Sequence, residues 1–146
     1  MYDAHELGRD DCTQLLTAGV TGRIALATPT GPHIMPVNYS TSGESTLVRT
    51  TAYSLIGTYA RDTMVAFEID DFDNLRQRGW SVLVRGRAEV VDDAEELARI
   101  QRSWPPRPWA AGQRNLVLRI PWTEVTGRRL GTGWEPYQDL AVRRQV

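Results

Sequence analysis

The sequence predicts a mainly β protein, an antiparallel barrel or sandwich with a few short helices. Two observations predict this class. Stretches of alternating apolar and polar residues recur along the chain, separated by turn signals such as Pro29-Thr30-Gly31 and Ser42-Gly43-Glu44. No strand–helix–strand rhythm, internal repeat or low-complexity linker interrupts them. At 146 residues the chain is expected to form one domain, burying roughly 68–70% of its unfolded surface.

Each element has its own signal. Residues 9–17 predict a helix: Asp10 and Asp11 suit its first turn, Leu15 and Leu16 supply apolar contacts, and Gly19 stops it. Residues 22–28 alternate as a first strand. Residues 32–41 alternate as a second, with Ile34, Pro36 and Asn38 on one face and His33, Met35, Val37 and Tyr39 on the other. Pro36 cannot donate to a ladder, so this strand is expected near a sheet edge or bulged there. Residues 45–51 form the third strand and 53–61 a short helix. Residues 64–70 form the fourth strand and 80–91 a long fifth, bent at Gly86. Residues 93–104 return to helical spacing, with Leu97, Ile100 and Trp104 along one stripe. Trp104-Pro105-Pro106-Arg107-Pro108-Trp109 breaks that helix and reads as a rigid connector packed on the protein's own surface. Residues 115–126 predict a sixth strand, followed from about 128 by an irregular tail.

Composition excludes several function classes. Hydrophobic content of 41% and charged content of 24% are those of a globular chain. A net charge of −1 gives no electrostatic drive toward nucleic acid or anionic membrane. All 17 basic residues are arginine, which removes Schiff-base lysine chemistry and any lysine phosphate anchor. Cys12 is the sole cysteine, so no internal disulfide forms and a reducing, cytoplasmic setting is expected. The polar, acidic start carries no leader signal, and no spanning segment is expected. His5 and His33 lack partners at metal-ligand spacing, so no metal site is expected. Nor does a nucleophile motif accompany them. Asp70, Asp71 and Asp73 lack the mid-loop glycine and closing glutamate of a calcium loop and read as a solvated turn. Gly131-Thr132-Gly133-Trp134 lacks the full glycine spacing of a nucleotide loop.

The segment with positive chemical content is residues 49–59. An apolar strand ends in Arg49, Thr50 and Thr51, and a helical turn opens just after Ser54. A guanidinium fork, several hydroxyls and free helix N–H groups suit a phosphate. Asn38 can donate and accept hydrogen bonds at the edge of a flat heterocycle, and Trp80 and Trp134 could cover its face.

Residues 22–39, Gly-Arg-Ile-Ala-Leu-Ala-Thr-Pro-Thr-Gly-Pro-His-Ile-Met-Pro-Val-Asn-Tyr, resemble the first hairpin of the pyridoxamine 5'-phosphate oxidase-like, FMN-binding split-barrel superfamily. The resemblance continues through Val48-Arg49-Thr50, residues 65–70 and residues 79–88. It is nearest to the small, single-domain branch that includes nitroimidazole-resistance-type proteins. It implies a six-stranded Greek-key split barrel, homodimeric, with FMN at the subunit interface. By the same resemblance Pro36, Val37 and Asn38 lie against the isoalloxazine ring. Arg49, Thr50, Thr51 and Ser54 hold the ribityl chain and phosphate, and Trp80 and Ser81 come from the partner subunit. Leu55 stands where relatives commonly carry lysine, a charged contact whose absence costs on the order of 1.5–3 kcal/mol.

The implied function is an FMN-dependent oxidoreductase acting on a small redox substrate, with no catalytic side chain identified beyond a possible acid in His33 or Tyr59. Two alternatives stand beside it. A deazaflavin-dependent reductase would line a groove with Arg76, Arg78, Arg85 and Arg87. A non-catalytic flavin or haem binder would use His33 as the haem ligand.

Overall fold

The computed structural model describes residues 4–103, 115–131 and 136. Its elements in chain order are β1 (Ala4–Glu6), α1 (Arg9–Ala18), β2 (Thr21–Thr28), β3 (Gly31–Asn38), β4 (Ser40–Thr41), β5 (Ser45–Thr50) and α2 (Leu55–Tyr59). There follow β6 (Thr63–Asp73), β7 (Arg78–Val90), α3 (Ala94–Ser103), β8 (Leu116–Pro121) and β9 (Glu124–Leu130). The strands make a curled antiparallel sheet in the order β3-β2-β6-β7-β8-β5-β4, with β9 added on β7 and β1 on β9.

β7 produces the curl by changing partner along its length. It pairs with β9 from Gly79 to Arg85 and with β8 at Glu89 and Val90. Gly86 stands at the change, where a Cβ would come within 2.0 Å of the Pro121 carbonyl oxygen. Only glycine lets the two backbones approach so closely.

Six strands were expected, and nine are present among the described residues, β1 at Ala4–Glu6 being one addition and two divisions supplying the others. The second expected strand divides at Tyr39 into β3 and β4. The sixth divides at Trp122 and Thr123 into β8 and β9, and β9 continues through Arg128 and Leu130, where an irregular tail was expected. Both divisions occur at a buried aromatic that pins a corner. Tyr39 is 1% exposed, donates its hydroxyl to the Leu16 carbonyl at 2.6 Å, and meets Phe67 edge-on at 4.8 Å. Trp122 donates its indole N–H to Thr46 Oγ1 at 2.9 Å. A pleated alternation cannot reveal such corners, because its period continues through them.

The core lies inside the curl. Ile24 and Leu26 from β2, Phe67 and Ile69 from β6, and Val82 and Val84 from β7 pack with Leu15 and Leu16 of α1. A second cluster outside the curl joins Leu47, Val91 and Val117 to Leu97 and Ile100 of α3. β3 is an edge strand, as Pro36 predicts.

Candidate functional site

The corner at Tyr39 creates the candidate site. It carries the chain from the edge strand β3 into β4, which pairs with β5 as Ser40↔Leu47 and Thr41↔Thr46. Continued two residues, that register sets Asn38 opposite Arg49, and β3 and β5 approach each other at this seam. The corner thus joins the expected ring-binding segment to the end of the strand that carries the expected phosphate residues. Asn38 is held by a hydrogen bond from its Nδ2 to Thr21 Oγ1 at 3.1 Å. Pro36 is exposed, whereas Val37 turns its side chain toward the core and offers a ligand only its main chain. Arg49 is half-buried and shares its face of β5 with Leu47, opposite Val117. That face lies beside α3, outside the curl.

The hydroxyls at the seam divide into two kinds. Ser54 Oγ accepts from Gly57 N at 2.9 Å, donates to the Thr51 carbonyl at 2.9 Å, and lies 2.6 Å from Thr50 Oγ1. One donor and two acceptor positions are thereby filled. Thr50 is 2% exposed. Ser54 is consequently an N-cap and Thr50 its buried partner, and neither hydroxyl is presented to a ligand. The helix they cap has five residues, and one of its free N–H groups is already taken. The expected anion cradle narrows to the Arg49 guanidinium and the half-buried Thr51 hydroxyl, which engages none of the described residues. Leu55 opens α2 and is 36% exposed.

β7 separates the remaining expected residues by alternation. Ser81 lies on the outer face of the sheet, opposite Asp70 on one side and Arg128 on the other. Trp80 points inward, is 7% exposed and belongs to the core. The expectation that its indole covers a ligand's face is therefore corrected: stacking would require the ring to leave the core. Its remaining exposed edge borders a cavity of about 330 Å³ shared with Asp71, Arg76 and Arg78. Trp134 and the Trp-Pro-rich segment 104–109 lie outside the described residues.

On the outer face the register defines cross-strand rows. Thr21 pairs with Asn38, and Asp70 with Ser81. The β2–β6 register, Arg23↔Glu68, sets Thr21 beside Asp70 and completes a row from Asn38 to Ser81. Three strand spacings separate its ends, roughly 14 Å. Within one chain, Ser81 therefore does not reach the seam across this face.

Sequence reasoning missed the charged cluster in the middle of that face. Arg23 Nη1 donates to Glu68 Oε1 at 3.2 Å and to Asp70 Oδ2 at 2.8 Å. Burial, with the neighbouring Asp70 acting in the same direction, pushes the Glu68 carboxyl up to about 7 despite Arg23. The signal was present: Glu68 and Asp70 are two apart in a strand and must share a face. Asp73, by contrast, accepts from Leu75 N and Arg76 N in the β6–β7 turn, and these bonds hold its carboxyl below the usual range. That is the solvated turn expected of it, whereas Asp70 and Asp71, read as part of the same turn, lie within β6.

Of the four arginines of the deazaflavin alternative, Arg76 and Arg78 border the same 330 Å³ cavity, while Arg85 and Arg87 lie apart from it. Arg76 pairs with Asp73, Arg85 with Glu124, and Arg87 reaches the Asp62 carbonyl. His33 of β3 lies 3.3 Å from Thr30 Oγ1 in the β2–β3 turn. Tyr59 is 36% exposed at the end of α2.

A curled antiparallel half-barrel whose open seam carries an arginine, a hydroxyl, an amide and an exposed proline defines a class, the small split barrels. The chain belongs to the pyridoxamine 5'-phosphate oxidase family, whose sequence model matches residues 8–129. It is 35% identical over 130 residues to an uncharacterized protein of Mycobacterium tuberculosis, covering 86% of this chain and 84% of that one. Among solved structures it resembles the FAD binding protein from Mycobacterium smegmatis, at 33% identity and a TM-score of 0.72 over 85% of this chain and 96% of that one. A FAD-binding protein from Mesorhizobium loti has 25% identity and a TM-score of 0.71, over 90% of this chain and 99% of that one.

Proposed function

We propose that the protein is a flavin-dependent oxidoreductase that holds FMN at the β3–β5 seam and acts as a homodimer. The observation that carries this reading is the Tyr39 corner, which brings Pro36 and Asn38 to the end of the strand bearing Arg49 and Thr51. The donor set fits the cofactor. Arg49 suits a phosphate, Thr51 a phosphate or ribityl oxygen, and Asn38 the polar edge of the ring, with Pro36 as an apolar contact. When bound, the flavin supplies hydride and single-electron transfer, and the protein supplies binding, orientation and electrostatics. The 14 Å between Asn38 and Ser81 within one chain favours a second copy as the source of Ser81.

FAD is a second reading, favoured by the two FAD-binding proteins of known structure. Leu55 stands where relatives commonly carry lysine, so in this reading Arg49 would be the one cation at the phosphate. That suits a diphosphate diester, with one charge per phosphate, better than the dianionic end of FMN.

The test is an absorption spectrum of the purified protein, followed by titration with FMN and with FAD. Flavin bands, or saturable uptake of either nucleotide, are expected. A colourless protein that takes up neither refutes the reading, and preferential uptake of a deazaflavin replaces it.

A further inference from the structure

We propose that the exposed patch made by Tyr53, Leu55 and Tyr59 beside the seam is a base-stacking site, and that it selects a flavin dinucleotide by taking its adenine. The inference rests on the flavin reading, chooses FAD within it, and gives that choice to named side chains.

The patch follows from how α2 is held. Ile56 turns into the core, and Gly57 lies so near the end of β5 that a Cβ there would meet the Thr51 carbonyl oxygen at 2.0 Å. With that side fixed, the helix presents its other side to water. Leu55 and Tyr59, one turn apart, are each 36% exposed. Helical side chains lean toward the N-terminus of their helix, so this stripe is directed at the end where Tyr53 stands. Tyr53 is 96% exposed, and its ring packs on almost nothing in the chain. Single apolar residues on a surface are ordinary. Two tyrosines and a leucine that begin two residues after Thr51 are a patch at the phosphate end of the seam.

The charges beside the patch point to the same ligand. Arg49 brings one cation to the end of β5, and α2 adds none from Leu55 to Tyr59. Arg61, just beyond, is turned to its own helix and donates from Nε to the Gly57 carbonyl at 2.7 Å. FMN ends in a phosphate monoester, close to dianionic at neutral pH because its second proton leaves near pH 6. The corresponding phosphate of FAD is a diester with one charge, which one guanidinium matches. Beyond it FAD continues as a second phosphate, a ribose and adenine. Tyr53 lies at most about 7 Å along the chain from Thr51. The second phosphate and the ribose cover that gap, with the phosphate charge left in water. Adenine then meets tyrosine and leucine side chains in place of solvent. Every base has a π face, so an exposed ring holds it without a hydrogen-bonding pocket. The free N–H groups of α2 play no part in this contact, and Ser54 already takes that of Gly57.

The test is titration of the full chain with FMN and with FAD, read by quenching of tryptophan fluorescence. Tyr53→Ala and Tyr53→Phe are measured alongside, with circular dichroism as the check on folding. The unmodified protein is expected to bind FAD tighter than FMN by about fivefold or more, the least that one base on one aromatic ring is worth. Tyr53→Ala should weaken FAD by that factor and leave FMN within about twofold, and Tyr53→Phe should keep the preference because it keeps the ring. Equal affinities for the two flavins, or tighter FMN, overturn the inference. So does a preference for FAD that survives Tyr53→Ala. A loss of both flavins alike in a folded Tyr53→Ala assigns Tyr53 to the phosphate position and overturns the stacking role. Uptake of neither flavin by the unmodified protein refutes the flavin reading itself, a result distinct from a lost preference.

Discussion

Replacing Ser54 by alanine asks whether the hydroxyl beside the candidate phosphate position is a ligand group or a structural cap. Its oxygen accepts from Gly57 N at 2.9 Å, donates to the Thr51 carbonyl at 2.9 Å and sits 2.6 Å from Thr50 Oγ1. Losing an N-cap costs about 1 kcal/mol. Thr50 is 2% exposed, so its hydroxyl would lose its partner in a dry environment. That orphaning adds about 1–3 kcal/mol. The expected destabilisation is therefore about 2–4 kcal/mol, read by urea unfolding of the unmodified and variant proteins. Thr50→Val should relieve part of it in the double variant, with a coupling energy of about 1–2 kcal/mol, because no hydroxyl then remains unpartnered. Flavin affinity measured on the folded fraction should change by less than about threefold, under 1 kcal/mol. A stability loss below about 0.5 kcal/mol together with a tenfold or greater loss of flavin affinity would make Ser54 a ligand contact and refute the cap assignment.

Other outcomes follow from the same geometry. Arg49→Ala should weaken FMN binding by roughly ten- to a hundredfold, the worth of a charge-assisted contact, whereas Arg85→Ala should leave it nearly unchanged because Arg85 is paired with Glu124. Fluorescence quenching measures both, and equal affinities remove Arg49 from the site. Glu68 has a folded-state value of about 7 against an ordinary 4.5, so the folded chain holds this proton more tightly than the unfolded one. Its contribution to stability is fully present below about pH 4.5 and is lost as pH rises through 7. Glu68→Gln should therefore raise the melting temperature at pH 8 and change it little at pH 5. A uniform shift at both pH values would assign the effect to packing. Gly19→Ala should destabilise strongly, because a Cβ there would sit 2.1 Å from the Tyr39 hydroxyl and force the corner open. Thermal unfolding reads the stability, and flavin uptake should fall with it. Intact uptake in a destabilised variant would separate the corner from the site.

Much of this protein was legible along the chain because strand alternation is local. The period of two sorted the residues of β2, β6 and β7 into two faces, and Pro36 pointed to an edge or a bulge before any pairing was known. Arg49 and Thr51 at a strand end could be read as anion-binding chemistry without coordinates, and family resemblance supplied the barrel. The hydroxyls were legible as residue types but not as roles. Whether Ser54 serves a ligand or its own helix depends on a 2.6 Å approach to Thr50 and on the reach of Gly57 N. Alternation already implied that Trp80 and Ser81 face opposite ways. Which of them faces water depends on which side of β7 the core occupies.

By itself, the order of residues determined the mainly β class, the faces of the strands and the chemical nature of the seam, all of which follow from neighbours a few positions apart. Tertiary structure alone decided that Asn38 meets the end of β5, that β7 trades one partner for another at Gly86, and that Glu68 and Asp70 share one guanidinium. Those relations join residues from about a dozen to several tens of positions apart, and they are set by how the sheet curls to bury Tyr39, Phe67 and Trp122. No local period carries that information, because the curl minimises exposed apolar area over the whole chain at once.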